Sequence, residues 1–262
     1  IIYYEKNLFI MKKIILIKKK KCLKYSFFKG SSETTREAPF SILQKKTHTT
    51  SFFEFDDYLR VAPLHKRNPN LRFLEWFVGF TEGDGTFSVR KGSNGKPRLL
   101  FEICQKDPKV LYLIKKTLGF GSVKISKRKG KTYWVYKIHS KKNLQKILFL
   151  FNGNLVKKKK KMQFERWLKA AKLWKCLPSP FQKKNFSRFV TVSTKTAWLA
   201  GFIDAEGCFY ATLSTPSKRS KVSKSMKQKF HITQKNVYDE NDVLQKIGIC
   251  FKSKGKVSKA YS

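Results

Sequence analysis

The hydrophobic positions of this chain change period several times, and each change marks an element. Apolar residues dominate from Leu71 to Phe80, and Asn70 before them is a natural cap, which predicts a helix through Phe80. After Gly85 the period drops to two. Phe87 and Val89 fall on one face of a strand, with Thr86, Ser88 and Arg90 on the other. The Asn94-Gly-Lys-Pro97 segment reads as a turn into a second strand, from Arg98 to Gln105. Leu99, Phe101 and Ile103 point inward there, and Arg98 and Glu102 point outward. Asp107-Pro108 opens a helix that stops at Gly119. A second hairpin joins 121–126 to 131–138 across Arg128-Lys-Gly130, placing Lys124, Ser126 and Lys137 on its outward side. Helices over 140–149, which Ser140 can cap, and over 158–173 follow. This order predicts an α+β domain of about 100 residues, a four-stranded antiparallel sheet with helices on one face.

The pattern then recurs. Phe77-Val-Gly-Phe-Thr-Glu-Gly-Asp-Gly85 is matched by Leu199-Ala-Gly-Phe-Ile-Asp-Ala-Glu-Gly207, and Phe101-Glu-Ile-Cys-Gln-Lys106 by Phe230-His-Ile-Thr-Gln-Lys235. Leu118-Gly119 likewise corresponds to Ile247-Gly248. Ser193 or Thr194 is placed to cap the second copy of the helix. In its hairpin, Tyr210, Thr212, Lys229, His231 and Thr233 face outward, opposite Phe209, Ala211, Phe230 and Ile232. The chain thus divides into an irregular or loosely attached extension (1–65), a first domain (66–175), a Pro-containing linker (176–192) and a second domain (193–262). The second copy ends near Lys254-Gly-Lys-Val257, where its third strand would begin, and reads as truncated.

Each repeated peptide closes with two carboxylates spaced i, i+2 and a glycine. Gly79 and Gly83, like Gly201 and Ala205, are four apart, so small residues share one helix face and two helices can pack closely. Such a pair would bring Asp84 and Glu206 across a narrow gap. Helix C-termini repel negative charge, and a divalent cation removes that conflict. Mg²⁺ accepts carboxylate and water oxygens and can activate water against a phosphodiester. The plainer alternative is that these acids pair with some of the many lysines. Glu82 and Asp204 read as structural residues near the helix ends.

Composition adds the partner. With 58 Lys+Arg against 17 Asp+Glu, the formal charge is +41 on 262 residues, which points to nucleic acid. Coding bias toward lysine is the competing source of that charge. The five cysteines and four histidines show no metal-knuckle spacing, which argues against a zinc nuclease. No apolar stretch reaches 18 residues, so no membrane-spanning segment is expected. The chain begins with Ile, so either Met11 is the start or the frame continues from upstream sequence.

The two peptides resemble the paired signatures of the LAGLIDADG homing endonucleases, in the single-chain form with two motifs. The resemblance covers about residues 70–262. It implies two αββαββα halves packed through the motif helices, with the second half incomplete here. It also implies sheets that saddle double-stranded DNA and metal-binding roles for Asp84 and Glu206. By the same resemblance Gln105 and Gln234 help order the reacting water, and a lysine before the long helix organises solvent. Lys158 is the expected residue for that last role, within the run 157–161. Ser88, Arg90, Arg98, Glu102, Lys124, Ser126, Lys137, Tyr210, Thr212, Lys229, His231 and Thr233 become the candidates to contact DNA. An ordinary solvated sheet face is the alternative for each.

The function expected is a Mg²⁺-dependent, site-specific double-strand endonuclease acting as a monomer. An intron origin in an organelle, mitochondrion or chloroplast, goes with it. Two other readings stay open: a maturase that binds intron RNA, and an inactive DNA-binding remnant.

Overall fold

The computed structural model describes residues 53–66, 69–92, 95, 97–184, 192–214, 225–234 and 241–253. The chain is α+β. Helix α1 (Asp56–Val61) and a 3-10 turn (Leu64–Lys66) precede α2 (Leu71–Asp84). The first half continues with β1 (Gly85–Lys91), β2 (Pro97–Gln105), α3 (Lys109–Leu118), β3 (Ser122–Arg128), β4 (Lys131–Ile138), α4 (Lys141–Phe151) and α5 (Lys158–Leu173). The second contributes α6 (Trp198–Glu206), β5 (Gly207–Ser214), β6 (Ser225–Ile232) and α7 (Asn241–Cys250).

The first sheet is antiparallel in the order β1-β2-β4-β3. Its inner face is aromatic: Phe87 packs between Phe101, Phe151, Phe164 and Trp167. Rings of this size each bury a large apolar area. The period-two reading placed Phe87, Leu99, Phe101 and Ile103 inward, and all four are buried. Val89 shares that face but lies close to the turn of the β1–β2 hairpin, opposite Leu99, and is 45% exposed. The turn between β3 and β4 uses Lys129 and Gly130 at positive φ (49° and 72°), the geometry of a two-residue hairpin loop. Strands β5 and β6 pair antiparallel as the counterpart of β1 and β2.

Four expectations are corrected. Helix α2 runs on to Asp84 rather than stopping at Phe80, so the acids sit on its last turn. Helix α4 has Ser140 before its first residue without a side-chain cap bond, and it extends to Phe151. Neither Ser193 nor Thr194 caps α6. That helix begins at Trp198, and Glu75 of α2 accepts the Ala197 amide at 2.8 Å. Lastly, residues 53–65 are not a loose extension. Phe53, Phe55 and Tyr58 are buried, and Asn154 grips Glu54 through both its backbone N–H (3.0 Å) and its carbonyl (2.7 Å). Asn152 does the same for the start of the linker, donating to the Gln182 carbonyl and accepting from the Lys184 amide. An alternating apolar and acidic stretch hid this docking from periodicity alone. Residues 1–52, the rest of the proposed extension, lie outside the described residues, as do 185–191 of the linker and 254–262 at the end of the second copy. Among the described residues no helix is long and apolar enough to cross a membrane.

Candidate active site

The site is set by how closely α2 and α6 cross. A Cβ built on Gly79 would lie 2.0 Å from the Trp198 carbonyl oxygen, and one on Gly201 would lie 1.9 Å from that of Trp76. The two contacts are equivalent, each glycine under the other helix's tryptophan carbonyl, so the helices meet about a local twofold axis. Only residues without a side chain allow backbones this near. One turn on, Gly83 faces Ala205, and its added Cβ would fall 2.4 Å from the Ala205 Cβ and 3.5 Å from Glu206 Oε1.

The first acid of each motif locks this crossing. Trp76 Nε1 donates to Asp204 Oδ2 at 2.9 Å, and Trp198 Nε1 donates to Glu82 Oε2 at 2.5 Å, so each half's indole holds the other half's carboxylate. Glu82 also accepts the backbone N–H groups of Val156 (2.9 Å) and Lys157 (2.6 Å) at the start of α5. Burial nevertheless pushes its pKa up to about 6, outweighing those donors and the nearby Lys157 charge. The structural reading of Glu82 and Asp204 agrees with these contacts. Trp198→Phe is expected to leave Glu82 Oε2 buried without its donor and to cost about 1–3 kcal/mol of stability, measured by urea unfolding.

The second acids close their helices at the same end of the seam. Asp84 is the last residue of α2 and Glu206 the last of α6. Burial raises the Asp84 pKa to about 6. The Gln105 hydrogen bond opposes this, the Glu206 charge adds to it, and the Lys160 charge opposes it. Gln105 Nε2 donates to Asp84 Oδ2 at 2.6 Å. Neither Asp84 nor Glu206 forms a salt bridge among the described residues, so the lysine-pairing alternative lacks its contacts. Two acids meeting at helix C-termini, half-buried and without a salt bridge among the described residues, fit a hard divalent ion. Among the described residues no group of three or more His, Cys, Asp or Glu gathers. A cation here would therefore rest on two carboxylates, with phosphate and water oxygens completing its shell.

The expectation for Lys158 is corrected. It is the first residue of α5 and is exposed. Its neighbours Lys157 and Lys160 are the buried ones, because a helix starting at 158 turns those two toward the seam. Lys160 Nζ donates to the Gly85 carbonyl just past Asp84. Burial lowers its pKa to about 8, with the Lys157 charge acting the same way and Glu82 and Glu206 acting against it. Lys157 Nζ donates to Gln234 Oε1 and lies 5.2 Å from the centre of the Phe202 ring. Gln234 therefore reaches toward the first half's lysine, while Gln105 holds its own half's acid. Lys157 and Lys160 are the site neighbours that sequence reasoning missed. The lysine run gave no period to choose between them.

The outward residues align as expected. Ser88, Arg90, Arg98, Glu102, Lys137, Lys124 and Ser126 share one face of the first sheet through the register Ser88↔Leu100, Arg90↔Arg98, Glu102↔Lys137, Lys124↔Val135 and Ser126↔Tyr133. On the second sheet Tyr210 pairs with Lys229, and its ring stacks on His231 with centroids 5.0 Å apart. Thr212 lies on this face, and Thr233 follows the last residue of β6.

The family model described as LAGLIDADG endonuclease matches residues 77–171 and 199–262, both halves of this fold. The chain belongs to the LAGLIDADG endonuclease family. It is 37% identical over 165 residues to "Probable intron-encoded endonuclease 4" of Neurospora crassa, a match covering 62% of this chain and 28% of that protein. It is 29% identical over 198 residues to "Probable intron-encoded endonuclease Cox1-I1b" of Schizosaccharomyces pombe, covering 66% of this chain and 51% of that protein. The chain thus spans about half or less of the length of these two relatives. Among solved structures, it shares its fold with the LAGLIDADG meganuclease I-AabMI bound to uncleaved DNA. That match has a TM-score of 0.55 and 24% identity, and covers 72% of this chain and 75% of the other.

Proposed function

We propose that this chain is a site-specific double-strand DNA endonuclease that hydrolyses one phosphodiester on each strand with a divalent cation such as Mg²⁺. The observation that carries this reading is the convergence of Asp84 and Glu206 at the end of a glycine-bound helix seam. The DNA-bound title of the solved relative supports DNA as the partner. Both fungal relatives are named intron-encoded, which supports an intron origin, and Cox1 in the second name supports the mitochondrion rather than the chloroplast.

In this mechanism the chain's residues bind, aim and exclude. The outward faces of the two sheets carry Arg90, Arg98, Lys124, Lys137 and Lys229 to the duplex, and the end of the seam holds Asp84 and Glu206 between the two halves. Gln105 fixes the Asp84 carboxylate in one orientation. Lys160 places a buried cation beside the scissile region, with a pKa of about 8 that suits holding or releasing a proton near neutrality. A bound divalent ion supplies charge neutralisation at the phosphate and a water of lowered pKa. The two halves inside one chain make a monomer sufficient.

The test is incubation of the full chain with duplex DNA spanning the intronless insertion site, with and without Mg²⁺. Both strands should be cut only with the metal, and no nick on either strand across the tested sites would end this reading. Lys160→Met is expected to slow single-turnover cleavage by about 100-fold while leaving DNA affinity within a few-fold. Equal losses in both would assign Lys160 to folding or binding instead.

A further inference from the structure

Glu102 is the single acid in the six described strands. It sits on β2, inside the first sheet, on the face that carries Arg90, Arg98, Lys124 and Lys137. A carboxylate repels the phosphates that such a face attracts, so by charge alone its presence costs affinity. Its contacts give it another use. Arg90 Nη2 lies 2.5 Å from Glu102 Oε2, and Lys137 Nζ lies 3.5 Å from Oε1. The Glu102 side chain is only 15% exposed, against 53% for Arg90 and 31% for Lys137, so the acid is a floor on which two cations are anchored. Leu100, buried two residues away on the same face, flanks that floor.

An arginine anchored at one terminal nitrogen keeps its planar fork in a fixed direction and loses less freedom when it meets a base edge. Two cations engaged by an acid are also poorer grips for a passing phosphate. Floor carboxylates can further accept from the amino group of cytosine, while arginine addresses guanine, so a G·C pair presents partners to both.

We propose that Glu102 is a specificity-determining residue of the DNA face, trading phosphate affinity for base discrimination by tethering Arg90 and Lys137 over one or two adjacent G·C pairs. The inference rests on the DNA-binding part of the function proposed above.

The experiment compares the full chain with Glu102→Gln in a binding selection from a randomised duplex library. Titration of an unrelated duplex at several salt concentrations and thermal unfolding accompany it. For Glu102→Gln we expect an unchanged melting temperature and at least three-fold tighter binding of the unrelated duplex. We also expect a salt dependence steeper by about one phosphate contact, and base preference flattened at one or two neighbouring positions only. Adding Arg90→Gln to that variant should flatten the same positions no further. Preference unchanged at every position, or weakened alike at all of them, would overturn the proposal and leave an ordinary surface ion pair. The readout is binding, so a chain that selects a site without cutting it would refute the nuclease reading and leave this one standing. A chain that cuts its site while Glu102→Gln selects identically would do the reverse, and a chain with no duplex preference would overturn both.

Discussion

Gly79→Ala and Gly201→Ala are each expected to destabilise the chain by about 3 kcal/mol, a large fraction of the stability of a typical domain. The added methyl would stand 2.0 Å or 1.9 Å from a backbone carbonyl oxygen of the opposing helix, far inside contact distance. A flexible side chain could swing away, but a helix carbonyl cannot move without its helix. Relief would therefore require α2 and α6 to separate, breaking both tryptophan–acid hydrogen bonds and drawing Asp84 away from Glu206. Gly83→Ala should also destabilise and be severe in activity, because its methyl would meet the Ala205 Cβ at 2.4 Å, an atom carried rigidly by α6, and crowd Glu206 beside it. Denaturant unfolding of the three variants is the check. A Gly79→Ala chain as stable as the parent would mean that the helices do not cross as described.

Asp84→Asn and Glu206→Gln are expected to lower the cleavage rate by roughly 10³-fold or more, the loss of several kcal/mol of transition-state stabilisation. Each change removes a ligand charge and almost no volume. Affinity for the duplex without metal should hold or rise, since a negative charge has left a phosphate-facing seam. Folding stability should hold or rise as well. Both acids sit where the helix dipole disfavours them, and each suffers from the other's charge. The opposite signs of the two effects, activity lost while stability is kept, distinguish a working acid from a structural one. A Glu82→Ala chain should instead lose stability first, since that carboxylate joins α2, α5 and Trp198. Asp84→Asn cutting both strands at the parent rate would sink the assignment of Asp84.

Much of this arrangement could be read from residue order. Alternation in β1, β2, β5 and β6 is a local property, so the strand faces and the outward candidates followed directly. The seam was legible because close packing leaves a record in composition, and Gly79 and Gly201 repeat at matched positions. What escaped were choices made by tertiary contact. In the basic run 157–161 every residue has the same chemistry, and only where Glu82 caps α5 decides that Lys157 and Lys160 turn inward while Lys158 faces water. The start of α6 was misplaced for a related reason. The Ala197 amide just before it is met by Glu75, 122 positions away, and no local cap pattern can reveal such a partner. The docking of residues 53–58 depends on Asn154, another distant polar side chain.

The exchange in which Trp76 holds Asp204 and Trp198 holds Glu82 has the form of an isologous subunit interface folded into a single polypeptide. In a homodimer, one mutation changes both sides of such an interface at once. Here the two sides are encoded separately, so each can be altered alone, and a change tolerable on one side meets an unaltered partner. Gly83 opposite Ala205 records one such departure: the gap accommodates one methyl group and has no room for a second. The unit of tolerance along this seam is therefore the facing pair, and engineering of either half should proceed by paired substitutions rather than position by position.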